Sequence, residues 1–200
     1  MAGRRRESYA DARARRAAID DPALVLEAAA RFLEARSRSV HEVRRRLTGA
    51  GYQPDLVEGA ITRLLELGML DDELFARTWV ESRDRARPRG ERAIREELRL
   101  KGVDRAVVDA VLETRRLAAT DDAAASDGDG PPVSADRAAA ERLLERHARA
   151  LARVGDPRQR RQRAYALLAR NGFDPETCRE ASAALAASAS GDDDPADIDP

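Results

Sequence analysis

Apolar residues recur along this chain at helical spacing, and glycines, prolines and capping residues cut the pattern into segments. Asp21-Pro22 supplies an N-cap and a proline at the first helical position. The helix it opens runs through Ala35 with Leu26, Ala29, Ala30 and Leu33 on one face. Ser39-Val40-His41-Glu42 has the form of a capping box. Its helix turns Val43 and Leu47 inward, carries Arg44, Arg45 and Arg46 around the outside, and stops at Gly51. Pro54 opens the next helix, with Leu56, Val57, Ile61, Leu64 and Leu65 apolar and Gly68 as its stop. From Leu67 to Val103 the pattern predicts two helices joined by a short basic turn. The first, 72–86, has Leu74, Phe75, Thr78, Trp79 and Ser82 on one stripe. The second, 90–101, has Ala93, Ile94, Glu97, Leu98 and Lys101 on a narrower one. The turn, Arg85-Ala86-Arg87-Pro88-Arg89-Gly90, holds three cations and two helix breakers.

Alignment on Gly51, Gly102 and Gly172 reveals an internal repeat. Four residues before each glycine stands Leu47, Leu98 or Leu168; eight before, Val43, Ile94 or Ala164; one after, Tyr52, Val103 or Phe173; six after, Val57, Val108 or Cys178. Each glycine therefore reads as the left-handed residue of a Schellman helix end, which brings the residue after it against the leucine. The first spacing is 51 residues and the second 70, and most of the excess falls in the Asp/Gly/Pro/Ala-rich segment from Ala118 to Ser134. The expected fold class is all-α, with three tandem three-helix units: 22–35, 40–50 and 54–67; 72–86, 90–101 and 104–117; 135–153, 157–171 and 175–187. As domains, these are units at 21–70, 71–117 and 135–188. A disordered or transiently helical basic arm is expected at 1–20, with nothing that obliges it to dock. A disordered acidic insertion is expected at 118–134, and a disordered acidic tail at 189–200.

Composition sharpens this picture. Charged residues make up 36% and aromatics 4%, so narrow apolar seams between small helical modules fit better than one large core. The net charge of −1 hides segregation. Residues 119–136 carry five Asp and no Lys or Arg, as do residues 191–200. With those ten acids set aside, 27 acids face 36 bases. A basic body of this kind suits a polyanionic partner, or is simply soluble. One cysteine precludes an intramolecular disulfide and points to a reducing compartment, with the cytoplasm as the expected location. No apolar run approaches the ~20 residues of a membrane span, and the basic N-terminus lacks the apolar stretch of a signal peptide.

Motifs for catalysis or cofactors are not found. The phosphate-binding glycine loops are missing, and two His with one Cys do not compose an ordinary zinc site, so no catalytic, cofactor or metal residue is assigned. His41 and His147 read as solvent-facing, and Cys178 as a small buried apolar residue. Asp71-Asp72 reads as an N-terminal helix pair stabilised by the dipole. Asp127-Gly-Asp-Gly lacks the later ligands of a calcium loop. Phe75 and Trp79, four residues apart, read as core. The arginines are the candidates. Arg83, Arg85, Arg87, Arg89 and Arg92 gather at one turn, with Arg95 just beyond, and Arg158, Arg160, Arg161 and Arg163 gather at a later helix start. They are either contacts to a polyanion or acidic protein, or solvated surface; Glu91/Arg95 and Glu42/Arg46 have the spacing of ordinary helix pairs.

Leu70-Asp71-Asp72, Phe75-Ala76, Trp79, the arginine-rich turn, Ile94, Glu97-Leu98 and Lys101-Gly102-Val103 resemble the core signature of the RecX family, bacterial regulators of RecA recombinase. Arg36-Ser37-Arg38-Ser39, Glu42-Val43, Leu47, Gly51-Tyr52, Leu64 and Leu67-Gly68 match in the first unit, and Leu168, Arg170 and Gly172-Phe173 in the third, so the resemblance covers about 24–186. It implies an elongated, modular, non-enzymatic protein without cofactors, expected to act as a monomer. It also implies binding in the groove of the RecA–DNA filament, limiting filament growth and the ATPase, strand-exchange and coprotease activities. The alternative is a helical protein that binds single- or double-stranded DNA directly through its arginines. Ten acids among residues 72–117 favour the protein partner, because a dedicated duplex binder is more often strongly basic.

Overall fold

The computed structural model describes residues 8–125 and 134–188, and all regular structure among them is helical. The helices are α1 (Tyr9–Ala17), α2 (Pro22–Glu34), α3 (Val40–Ala50), α4 (Pro54–Glu66), α5 (Asp72–Ala86), α6 (Glu91–Leu100), α7 (Arg105–Ala125), α8 (Ala135–Ala152), α9 (Pro157–Arg170) and α10 (Pro175–Ser188). After α1 they form the three consecutive sets of three that the repeat predicts. The chain gathers into two compact units, Met1–Arg77 with Leu98–Val108, and Thr78–Glu97 with Asp109–Pro200.

The first unit is built on Val25, Ala29, Val43, Leu47, Val57, Ala60, Ile61, Leu64 and Leu70. Pro22 and Pro54 occupy the first turns of α2 and α4, where a missing N–H costs nothing. Gly51 has φ 103° and closes α3 in the left-handed conformation; Tyr52 N–H donates to Leu47 O at 3.3 Å and Gly51 N–H to Thr48 O at 3.0 Å. Gly102 repeats this at the end of α6, with φ 72° and Val103 N–H on Leu98 O at 3.1 Å. A Cβ on Gly102 would lie 2.3 Å from His41 Cγ, so the exposed His41 ring covers this helix end.

The second unit has its core on Ala139, Ala140, Leu143, Leu144, Leu151, Ala164, Leu168, Phe173, Cys178 and Ala181. Gly172, φ 83°, ends α9 with Phe173 N–H on Leu168 O at 3.4 Å. The slots that hold Val43 and Ile94 earlier hold Ala164 here, and the slot of Val57 and Val108 holds Cys178; all are buried. At ~0.8 kcal/mol per buried CH₂, replacing Val or Ile by Ala at one slot forgoes roughly 2 kcal/mol. At these two slots the third helical set buries less apolar side chain than its counterparts.

Three expectations are corrected. Residues 9–17 form a helix that docks rather than a free arm: Tyr9 Oη donates to Gly49 O at 3.0 Å, Arg16 to Ala50 O at 3.4 Å, and Gln53 Nε2 to Ala17 O and Ile19 O at 3.2 and 3.0 Å. Ile19 also packs on the first core. α7 continues through Ala118 to Ala125, where an insertion was expected; alanine is the best helix former and no stop intervenes. On α5 the buried residues are Phe75, Ala76 and Val80, while Leu74 is 57% exposed and Thr78 and Ser82 also face solvent. The expectations of disorder at 1–7, 126–133 and 189–200 fall outside the described residues.

Candidate partner-binding surface

The arginine turn between α5 and α6 is fixed from several sides within the second unit. Pro88 is fully buried. Gly90 N–H donates to Asn171 O at 3.0 Å, and a Cβ on Gly90 would meet Gly172 O at 2.3 Å, so only glycine allows this approach of two backbones. Arg146 of α8 donates to Arg85 O at 2.7 Å and also to Ala86 O, capping the carbonyl end of α5. The first amide of α6, Glu91 N–H, donates to Asp136 at 3.0 and 3.2 Å.

Beneath the turn lies an ion network. Arg115, 7% exposed, binds both oxygens of Asp84 at 2.8 and 3.0 Å and Asp136 at 2.6 Å. Burial pushes the Asp136 carboxyl up, against the pull of the Glu91 amide and Arg115. Burial also opposes the Arg115 charge, but the hydrogen bonds it donates to Asp84 and Asp136, with their negative charges, raise its pKa. Arg116 pairs with Glu91 at 2.6 Å and Glu113 at 2.8 Å.

Against this frame the ten candidate arginines separate. Arg83 binds Glu97 at 2.6 Å, and its guanidinium carbon lies 4.4 Å from the ring centre of Trp79, whose Nε1 donates to the same carboxylate at 2.8 Å. Trp79 is half-buried, so it serves as a lid on this pair as much as core. Arg89 lies 3.7 Å from Glu97 and donates to Asn171 Oδ1 at 2.9 Å. Arg95 is paired with Asp109 and with Glu91 at 3.0 Å, the latter being the expected helix pair. Arg160 donates twice to Val154 O, at 3.0 and 3.1 Å. The remaining six, Arg85, Arg87, Arg92, Arg158, Arg161 and Arg163, are exposed and make no ion pair with a described residue.

Sequence reasoning missed a second polar junction, in the first unit. The Ser39–Glu42 capping box is present as expected: Ser39 Oγ accepts from Glu42 N–H at 3.1 Å and the Glu42 carboxylate accepts from Ser39 N–H at 3.4 Å. In addition Ser39 Oγ donates to Lys101 O at 2.6 Å, and Glu42 takes Lys101 Nζ at 2.9 Å and Arg36 at 3.1 Å. Burial works against the Glu42 charge, but the bonds from Lys101 and Arg36 hold its pKa down to about 2. Arg46, expected to pair with Glu42, lies instead 5.7 Å from the Phe32 ring centre. Asp71 caps α5 as expected, accepting from Leu74 N–H at 2.9 Å. Asp72 does other work: it accepts from Val40 N–H at 2.9 Å at the start of α3, and burial raises its pKa. Cys178 is buried, its thiol raised by burial and directed to Phe173 O at 3.7 Å.

No group of three or more His, Cys, Asp or Glu among the described residues is placed to hold a metal, and no described helix is long and apolar enough to cross a membrane. Three family models match in order: the first RecX three-helix domain at 26–64, the second at 71–112 and the third at 135–181. The regulatory protein RecX of Mycolicibacterium vanbaalenii is 34% identical over 149 residues, 72% of each chain. That of Mycobacterium avium is 32% identical over 158 residues, 78% of this chain and 82% of the other. The fold is similar to the crystal structure of RecX from Lactobacillus salivarius, with a TM-score of 0.65 at 20% identity, over 83% of this chain and 97% of that one. The three helical sets, their glycine-closed ends and these relatives together place the chain in the RecX family of regulatory proteins.

Proposed function

We propose that this protein binds the filament of a RecA-type recombinase and modulates it, mainly by inhibiting its ATPase, strand-exchange and coprotease activities, and thereby regulates DNA repair and recombination in the cytoplasm. It acts by binding rather than by catalysis. The observation that carries the reading is the sorting of arginines in a RecX chain: Arg83, Arg89 and Arg95 are held internally, while Arg85, Arg87 and Arg92 face solvent without an ion pair to a described residue. Guanidiniums presented from a fixed turn suit carboxylates of recombinase protomers and phosphates of their DNA. Tandem helical repeats offer a surface able to span several protomers. Inhibition follows when the state so bound differs from the one that hydrolyses ATP.

A second reading, direct DNA binding, is favoured by the exposed Arg158, Arg161 and Arg163 at the start of α9. One experiment separates the two. DNA-dependent ATP hydrolysis by assembled filament is measured against the parent protein and against the Arg85→Ala/Arg87→Ala/Arg92→Ala variant, over a range of salt. The parent lowers turnover, and the variant needs about tenfold more protein for the same effect. Three exposed contacts of roughly 0.5 kcal/mol each amount to the ~1.4 kcal/mol of one decade. A parent that leaves turnover and strand exchange unchanged at saturation overturns the reading. A variant that inhibits as well as the parent at every salt concentration moves the contact to Arg158, Arg161 and Arg163. Binding to bare DNA with a steep salt slope, and no added affinity for filament, supports the second reading.

A further inference from the structure

The turn between α2 and α3 carries an arginine cluster of a different kind, within the first unit and outside the surface assigned above. Five of the eleven residues from Arg36 to Arg46 are arginine, with one acid, Glu42, among them. Arg44 is neutralised by a two-pronged pair with Glu58 at 2.6 and 2.8 Å. Arg36 shares Glu42 with Lys101. Arg38 and Arg46 have no carboxylate among the described residues; their guanidinium carbons lie 4.2 and 5.7 Å from the centre of the Phe32 ring. Arg38 Nε is buried without a hydrogen-bond partner among the described residues. Burial, and then the charge of Arg36, hold the Arg38 pKa below its ordinary value; Glu42 opposes them, and Arg46 adds to the lowering. Arg36 and Lys101 thus share one carboxylate, while the charges of Arg36 and Arg46 bear on Arg38, a repulsion that an anion settling there relieves.

We propose that Phe32, Arg36, Arg38 and Arg46 form a binding site for the phosphodiester backbone of a single-stranded nucleic acid. Charge density selects the class of ligand. A strand brings successive phosphates a few ångströms apart, whereas acids on a protein surface are usually interspersed with bases. The ring selects the strand type. Phe32 packs on the first hydrophobic core, so it is an anchored platform. Guanidiniums lying over it are positioned in advance by cation–π attraction, which lowers the ordering cost of binding. Unstacked bases lie readily against guanidinium planes and aromatic rings; bases inside a duplex are hidden from both.

The test needs no recombinase, so it stands or falls separately from the filament reading. Anisotropy of a fluorescein-labelled oligothymidylate of about 20 nucleotides is titrated with the full chain, parent and Arg38→Gln/Arg46→Gln, across salt concentrations. The double variant binds at least about tenfold more weakly, and its log–log salt slope is shallower by about 1.4, two phosphates at ~0.7 each. Arg38→Lys/Arg46→Lys keeps the slope and loses part of the affinity, because ammonium groups keep the charge but not the planar stack. Phe32→Leu likewise keeps the slope and loses affinity. A glutamine variant with the parent's melting temperature, affinity and slope overturns the site. If the glutamine variant fails to fold, parent affinity in both the lysine variant and Phe32→Leu overturns it. Competition by polyaspartate or by duplex DNA as effective as that of the oligothymidylate, charge for charge, overturns the assignment to a single strand.

Discussion

The α2–α3 turn and the α5–α6 turn are alike in sequence and opposite in chemistry. Both are short, both are rich in arginine, and both precede a helix with a buried valine or isoleucine in its second turn, Val43 or Ile94. At the α5–α6 turn, Glu97, Glu91 and Asp109 hold Arg83, Arg89 and Arg95 and absorb part of the charge. At the α2–α3 turn one carboxylate serves a lysine and an arginine, and two further arginines rest on an aromatic ring. An arginine run in a sequence therefore does not by itself state a surface charge. What decides is whether the fold delivers carboxylates to it.

The largest test of this contrast removes Arg115. Arg115→Ala leaves Asp84 and Asp136 facing each other in a half-buried site and loosens the cap that Asp136 places on α6. Breaking one partner of such a network typically costs ~3–5 kcal/mol. Chemical denaturation should show a loss of this size, and Arg38→Ala, in the more exposed cluster, a loss of no more than about 1 kcal/mol. Equal losses would erase the distinction.

Acid comes next. The Glu42 pKa lies at about 2 in the folded chain, below its ordinary 4.5, so the stabilising effect of its ionised form is present above pH 4.5 and is lost as pH falls toward 2. Its size is on the order of 3 kcal/mol. Denaturation curves between pH 6 and 2.5 should show the first unit weakening through this window, and Glu42→Gln should flatten the dependence. The smallest expected effect is that of Arg85→Ala/Arg87→Ala/Arg92→Ala on stability, within about 1 kcal/mol by the same measurement, since exposed cations without partners contribute little to folding.

Much of the fold is local and was therefore legible. Ser39 and Glu42, Asp71, Pro22 and Pro54, and the glycines at 51, 102 and 172 each act within a few residues of their own position, and the structure places them as the spacing predicts. What escaped sequence reading depends on distant partners. α1 docks through carbonyls at Gly49 and Ala50 freed by the end of α3, which leaves no mark in its own apolar pattern. Asp72 looks like part of a cap for its own helix but serves Val40, 32 residues away. Lys101 falls on the stripe predicted for the 90–101 helix, and only the fold brings it to Glu42. The candidate arginines were recognisable as a group, but their division into held and free required the positions of Glu97, Asp109 and Asn171.

Cys178 carries a practical consequence. It is the chain's one cysteine, fully buried in the α8–α10 core with its thiol raised by that burial. A thiol in this state is shielded from alkylating reagents and from intermolecular oxidation while the core is closed, and reacts once it opens. The rate of its modification is thus a built-in clock for opening of the third helical set, whose core holds alanine and cysteine where its counterparts hold valine and isoleucine. Native protein can be stored, labelled at introduced surface cysteines and bound to a partner without competition from its own sulfur, and any signal at Cys178 then reports motion of that core alone.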